Sequence, residues 1–135
     1  MTKVMISLFA LSGLLLSNLV CAQGSVARAI VTTGVVDREP VNNLERVMAG
    51  NKQALFFTDL RGMQGQTVKH RWSYRGEIVA EVEFNVGGPR WRVWSSKKLI
   101  PELAGDWVAE VIDGDGNIVK AKSFSVAGER RSKRP

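Results

Sequence analysis

Alternation of apolar and polar residues dominates the chain after its apolar N-terminal segment, and no stretch sustains a helical period. The alternating segments are short and are separated by Gly, Pro, Asp and Asn, the residues that form turns. The pattern predicts seven strands: Val26–Thr33, Gln53–Leu60, Thr67–Tyr74, Ile78–Val86, Arg90–Ser95, Asp106–Ile112 and Ile118–Val126. Seven strands in about a hundred residues predict an immunoglobulin-like antiparallel β-sandwich, with a small β-barrel as the alternative.

Two of the segments that connect the predicted strands have predictable structures. Asp37–Gly50 is predicted to be the main irregular connection, with one helical turn within Val41–Met48. Asp113–Asn117 contains the Asp-Gly and Gly-Asn pairs that are typical of hairpin turns, and it is predicted to join the last two strands. Its spacing resembles half of a calcium loop, but Ile118 and Phe124 occupy the positions where such a loop needs Gly and Glu.

The segment around Arg75-Gly76-Glu77 predicts a β-hairpin with a three-residue loop. In this register apolar residues face each other on one side of the hairpin: Tyr74 with Ile78, Trp72 with Ala80, His70 with Val82, and Val68 with Phe84. Opposite charges face each other on the other side: Arg71 with Glu81, and Lys69 with Glu83. A two-residue loop would lose both patterns, so the three-residue loop is predicted, and it places His70 on the core face.

The N-terminal segment has the features of a secretory signal peptide. Lys3 provides a positive start, an apolar run follows, and small residues precede a predicted cleavage site after Ala22. A lipid anchor on Cys21 is not expected, because Asn18 and Val20 occupy positions where a lipobox has Leu and a small residue. The sequence therefore predicts a periplasmic or secreted protein that is not an integral membrane protein after cleavage.

Three segments make up the predicted organisation. Residues 1–22 are the signal peptide, residues 23–127 are a single all-β domain, and residues 128–135 are a disordered basic tail. The last seven residues include four basic residues and one acidic residue, so this tail is expected to be able to contact anionic lipid.

Composition excludes several classes of protein. One Cys and one His are too few for a disulfide scaffold, a cysteine-based zinc module or a multi-histidine metal centre, and neither a cofactor nor a metal is predicted. Lys and Arg number 19 against 13 Asp and Glu, which gives a net charge of +6 and favours an anionic partner. Nucleic acid is not expected to be that partner, because the signal peptide exports the protein.

A basic and aromatic strand is the strongest candidate for a binding surface. The segment Phe84–Pro101 contains no acidic residue, and its alternation places Trp91 in the core and Trp94 on the outer face between cations. An exposed Trp flanked by Arg stacks on sugar rings or peptide side chains, while Arg pairs with carboxylate or phosphate. The candidate binding surface comprises Arg90, Arg92, Trp94, Lys97 and Arg38. Alternatively, the arginine stems cover Trp94, and Asp37 or Glu39 neutralises the guanidinium groups.

A catalytic alternative uses the secondary candidates His70, Asp37 and Glu39. These residues would form a hydrolase for envelope polymers only if they converged in one concave site. No nucleophile-elbow motif supports a serine or cysteine mechanism, and a lone histidine on the core face is more often a hydrogen-bonded core residue.

Four strings of the sequence together resemble a bacterial family known only as a domain of unknown function, number twenty-nine-fourteen. The strings are Thr33–Pro40, Phe56–Leu60, Gln66–Trp72 and Phe84–Lys97, and the resemblance extends from about Arg28 to Val126. It implies an extracytoplasmic all-β domain. It transfers no catalytic residue, because the family has no established activity.

Taken together, these observations predict a non-catalytic binding or adaptor module of the bacterial cell envelope. Its basic and aromatic strand surface, and the basic tail, would engage an anionic glycan or a protein partner. The envelope-polymer hydrolase is the first alternative, and a structural subunit of an envelope complex is the second.

Overall fold

The computed structural model of this protein describes residues 24–128. The predicted signal peptide and all but the first residue of the predicted tail lie outside the described residues. Ten strands run through this part of the chain: β1 (Ser25–Thr32), β2 (Val35–Val36), β3 (Glu39–Pro40), β4 (Arg46–Met48), β5 (Gln53–Arg61), β6 (Thr67–Tyr74), β7 (Glu77–Asn85), β8 (Arg90–Lys98), β9 (Gly105–Ile112) and β10 (Ile118–Ala127). Short 3₁₀ turns occupy Ala49–Asn51 and Pro101–Leu103.

The strands form two main sheets. The three-stranded sheet has the order β1-β5-β8, and the five-stranded sheet has the order β4-β10-β9-β6-β7. All pairings are antiparallel except that of β4 with β10. Strands β2 and β3 form a small separate hairpin. Across residues 24–128 no sheet closes into a barrel, so the predicted immunoglobulin-like β-sandwich is confirmed and the barrel alternative is wrong.

One hydrophobic core lies between the two sheets. Phe56 of β5 meets Trp72 of β6 with ring centroids 6.1 Å apart, and Trp72 meets Phe124 of β10 edge to face at 6.0 Å. Trp107 of β9 stacks on Phe124 from the other side. Burial of such large side chains from both sheets is what holds the layers together. Within residues 24–128, no helix is long and apolar enough to span a membrane.

All seven predicted strands are present, and the predicted helical turn within Val41–Met48 is wrong. That stretch contains β4 instead, which adds to the edge of β10, and Val47 of β4 is fully buried between two exposed neighbours. The chain before β4 is held by Asn42, whose side-chain oxygen accepts a hydrogen bond from the Thr33 amide at 3.0 Å. Backbone groups that a helix would satisfy internally are satisfied here by the sandwich.

The register of the β6–β7 hairpin is confirmed along most of its length. Trp72 faces Ala80, and the pairs of His70 with Val82 and Val68 with Phe84 follow as predicted. The predicted ion pairs on the other face also form, with Arg71 Nε 3.0 Å from Glu81 and Lys69 Nζ 3.7 Å from Glu83.

The predicted three-residue loop of this hairpin is wrong. Tyr74 pairs with Glu77, so the loop is Arg75-Gly76, with φ of 49° and 84°. Two consecutive residues with positive φ are typical of the type I′ turn, whose twist matches that of the flanking strands. Val79 then forms a bulge between Ile78 and Ala80, which restores the register that the charges and apolar residues require.

The predicted turn Asp113–Asn117 is confirmed. The Asp113 carboxylate accepts backbone hydrogen bonds from Asp115 at 3.0 Å and from Asn117 at 2.9 Å. This carboxylate therefore closes the β9–β10 hairpin together with the backbone hydrogen bond from Asp113 to Asn117.

We expect Gly76→Ala to lower the free energy of unfolding by about 1 kcal/mol, because an alanine at this positive φ is strained. Gly34→Ala is the matched control, since its added Cβ would make only an ordinary contact with Val41 at 3.5 Å. Urea unfolding followed by tryptophan fluorescence measures both variants, and equal stability of the two would contradict the type I′ turn.

A candidate basic and aromatic binding groove

The alternation predicted for β8 is confirmed along most of the strand. Val93 and Ser95 are buried, and Trp94 is on the outer face with 38% of its surface exposed. The prediction that Trp91 belongs to the core is wrong, because it is 37% exposed. Its ring lies against Gly87, where an added Cβ would come within 2.9 Å of it. Trp91 thus packs on the connection that precedes β8, at the rim of the sandwich.

The consecutive residues Arg90 to Trp94 of β8 line a groove with a volume of about 480 Å³. We call this site the basic–aromatic groove; its lining residues are Arg38, Phe84, Asn85, Arg90, Trp91, Arg92, Val93 and Trp94. Four of the five predicted binding residues therefore share one site. Lys97, the fifth, lies three residues beyond Trp94 on β8 and does not line the groove.

Trp94 is held in place from beneath. Its ring stacks on Phe57 of β5 with centroids 6.3 Å apart and an angle of 15° between the planes. Phe57 is fully buried although it points to the outer face, and the Arg28 guanidinium lies 5.1 Å from its ring centroid. The partly exposed ring of Trp94 is therefore fixed in orientation before any partner arrives.

A buried carboxylate organises the arginines around the groove. The side chain of Asp59 is only 1% exposed, and its oxygens lie 2.9 Å from Arg61, 3.3 Å from Arg28 and 3.6 Å from Arg90. Burial alone would raise the pKa of Asp59, but hydrogen bonds from Arg61 and Arg28 outweigh it and hold this pKa below its ordinary value. Asp59 therefore remains ionised beneath the arginines.

Glu39 neutralises part of the groove, which confirms one half of the alternative raised from the sequence. It binds Arg28 at 2.7 Å and Arg92 at 2.8 Å, and the hydrogen bond from Arg28 is the main reason that its pKa falls to about 2. Asp37, the other acid considered, is exposed and has no ion pair within residues 24–128. Glu39 acts as a structural anion that holds two arginines in position.

Two arginines of the groove keep hydrogen-bond donors available. Among the described residues, the Arg38 side chain makes no hydrogen bond or ion pair. Arg90 has one ion pair, with Asp59 at 3.6 Å, which is too long for a hydrogen bond. A guanidinium carries five N–H donors, so both residues can pair with an incoming carboxylate or phosphate.

Sequence reasoning missed Arg28, Asp59 and Arg61. A signal for Asp59 exists, because it is a lone charged residue in a strand that is otherwise uncharged from Gln53 to Leu60. A carboxylate in such a strand needs a cationic partner when it is buried. The sequence does not say which arginines supply the charge, since their proximity depends on how β1 and β8 pair with β5.

His70 is a buried core residue and does not line this groove. It is fully buried between the sheets, with Nε2 2.8 Å from Thr58 Oγ1 and Nδ1 2.8 Å from Ser95 Oγ. The indole of Trp72 donates to the same Ser95 oxygen at 3.1 Å. One assignment pairs every group: Trp72 donates to Ser95, Ser95 to His70, and His70 to Thr58.

The catalytic candidates do not come together. Glu39 binds arginines on the outer face of the three-stranded sheet, whereas His70 lies on the inner side of that sheet. Burial lowers the pKa of His70 to about 3, so its imidazole is neutral at physiological pH. Asp37, Glu39 and His70 therefore cannot act as one catalytic site.

Comparisons with known proteins find a family match and similar proteins. The family described as "Protein of unknown function (DUF2914)" matches residues 65–126, which confirms the resemblance inferred from the sequence over this stretch. The predicted part of the resemblance before residue 65 lies outside the match. The CARDB domain of a Pyrococcus furiosus protein, solved in complex with di-metal ions, is similar with a TM-score of 0.45 and 14% identity. That likeness covers 76% of this chain and 88% of the other.

A curated relative is similar over part of the chain. It is protein-glutamate methylesterase/protein-glutamine glutaminase 1 of Methanosarcina mazei, which is 28% identical over 76 residues. The likeness covers 56% of this chain and spans a fifth of that protein, or 20% of its length.

The buried histidine predicts a specific acid sensitivity. An unfolded chain has the ordinary histidine pKa of 6.5, whereas the folded protein takes up this proton only near pH 3. The unfolded state therefore binds more protons between these values, and stability falls as the pH drops below 6.5, by at most about 1.4 kcal/mol per pH unit. Urea unfolding at a series of pH values measures this slope.

His70→Gln is the control for this slope, because glutamine keeps polar groups at the site but does not titrate. Asp59 and Glu39 add their own acid sensitivity only below their ordinary values of 3.8 and 4.5. Between pH 6.5 and 4.5 the variant should lose most of the slope, whatever its absolute stability. An unchanged slope would show that another group titrates.

Removing the charge of Asp59 should destabilise the protein. We expect Asp59→Asn to lower the free energy of unfolding by about 2 kcal/mol, since three arginines then lose their buried counter-ion. Asp115→Asn, in an exposed turn, should change it by less than about 0.5 kcal/mol. Chemical unfolding compares the two, and equal effects would mean that Asp59 has no organising role.

Proposed function

We propose that this protein is a non-catalytic binding module of the bacterial cell envelope that engages an anionic partner through the basic–aromatic groove. The observation that carries the proposal is the convergence of Arg38, Arg90, Arg92 and Trp94 in one groove. Two of these arginines have donors to spare, and the tryptophan is both fixed and partly exposed.

The chemistry of the groove fits an anionic glycan or an acidic protein surface. Exposed tryptophan and arginine are the residues most often responsible for binding energy at protein interfaces. A guanidinium binds carboxylate or phosphate with two parallel hydrogen bonds, and an indole ring stacks on the apolar face of a sugar. Because Glu39 and Asp59 already hold Arg28 and Arg92 in place, little side-chain freedom is lost on binding.

The location is part of the same proposal. Residues 1–22 support it, because a positive start, an apolar run and small residues follow one another there as in a signal peptide. The absence of any cysteine beyond Cys21 is a second support. The basic tail would add an electrostatic attraction to anionic polymer or lipid, worth about 1 kcal/mol for each Lys or Arg near the surface.

Co-sedimentation with purified bacterial sacculi at low and high salt tests the proposal. The protein should be retained, and Trp94→Ala should weaken retention about tenfold at both salt concentrations, because stacking is less screened than charge. Arg90→Glu should weaken it at low salt more than Lys120→Glu. The latter makes the same charge change at an exposed position on β10, away from the groove.

Three results would count against the groove. Equal losses for Arg90→Glu and Lys120→Glu would reduce the effect to net charge. Retention that disappears only when the chain is truncated after Gly128 would assign it to the tail. A complete lack of retention would exclude the wall glycan as the partner.

A further inference from the structure

Strand β8 has an open edge, unlike the other edges of the sandwich. The three-stranded sheet ends in β1 and β8, and the five-stranded sheet ends in β4 and β7. Strand β1 has a bulge between Val26 and Arg28, β7 has a bulge at Val79, and β4 is only three residues long. Within residues 24–128, β8 alone is an edge strand that pairs over nine residues without a register shift.

Open edges are normally protected, because their unpaired N–H and C=O groups invite another strand. Bulges and short strands protect the other three edges. Within the described part of the chain, β8 is protected by positive charge, which is supplied by Arg90, Arg92, Lys97 and Lys98. A row of positive charge repels a second copy of β8, but it is complementary to a strand that carries acidic residues.

The rows of side chains across the outer face indicate what an added strand would carry. One row runs Arg28, Asp59, Arg92, so its charges alternate in sign, and an acidic residue would continue it beside Glu39, which already binds Arg92. A second row runs Ser25, Arg61, Arg90, and its two adjacent positive charges favour an acid at the next position.

The neighbouring row on this face is apolar. It runs Ile30, Phe57, Trp94, and its next member should be apolar or aromatic. Trp94, Arg92 and Arg90, which end these rows, are spaced two residues apart on β8. They would therefore contact alternate residues of one extended segment.

We propose that the open edge of β8 is the docking site for an extended acidic segment of a partner protein, which adds to the three-stranded sheet as a fourth strand. The inference rests on the proposed function and names the partner of the same groove. An antiparallel segment would read apolar-x-acidic-x-acidic opposite Trp94, Arg92 and Arg90, and a parallel segment would read the reverse. The Arg38 side chain, which makes no hydrogen bond or ion pair within residues 24–128, lines the same groove.

The test uses fluorescent nine-residue peptides with the pattern Val-Thr-Glu-Thr-Glu at their centre, and anisotropy measures their binding to the full protein. Backbone N-methylation at alternate positions distinguishes strand pairing from simple charge attraction. One set of alternate positions faces β8 and the other faces solvent. Methylation of the first set should weaken binding at least about tenfold, and methylation of the second set should leave it nearly unchanged.

Charge exchange tests the predicted order of residues. Arg90→Glu should weaken binding of the acidic peptide, and a peptide with Lys at the residue opposite position 90 should restore it. Lys120→Glu is the control and should have little effect. Arg38→Ala tests the groove without touching the Asp59 cluster, so a folding defect in Arg90→Glu would not hide the result.

The outcomes separate this inference from the proposed function. Equal effects of both methylation sets, or no peptide binding, would overturn strand addition. If alginate, a soluble polyuronate, binds and Trp94→Ala abolishes that binding, the groove binds glycan and the proposed function stands. If neither probe binds, both proposals fail.

Discussion

The buried hydrogen-bond chain from Trp72 through Ser95 and His70 to Thr58 determines how the two sheets fit together. It joins β6 of one sheet to β8 and β5 of the other, in a core where an unpaired polar group costs about 1–3 kcal/mol. Sliding β8 by one residue would turn Ser95 outward and leave the imidazole and the indole without partners. The orientation of β8 is therefore fixed from inside the core, and with it the outward direction of Trp94.

The outer face of the three-stranded sheet is organised by charge and ring contacts. Phe57 and Asp59 point away from the main core yet are fully buried, because Trp94 and a set of arginines cover them. The arginines that cover Phe57 and Asp59 differ in how firmly they are held. Arg28 is engaged with two carboxylates and is structural, whereas Arg90 is held only loosely and retains free donors. The surface that completes the fold is thus also the surface best equipped to bind an anion.

Alternation was sufficient to predict the seven main strands, the faces of β8 and the pairing of β6 with β7, since these depend on a period of two and on cross-strand partners. It cannot show where the opposite sheet ends, and for this reason it wrongly predicts that Trp91 lies in the core. Nor could it show that Arg75 adopts a positive φ and that Val79 compensates with a bulge. The cluster around Asp59 joins residues from three strands, and only the order of those strands brings them together.

The positive charge along the β8 edge explains how an accessible edge strand can avoid pairing with a second copy of itself and still select its partner. Backbone pairing is indifferent to sequence, so an unprotected edge would bind many extended segments, including another copy of itself. Positive side chains oppose self-pairing and basic segments, while Trp94, resting on Phe57, adds a preference for an apolar residue at one position. Discrimination between partner segments then depends on the rows of side chains that the folded sheet already holds in position. Because the arginines are partly exposed, binding of this kind should weaken with salt, whereas its dependence on backbone donors should persist.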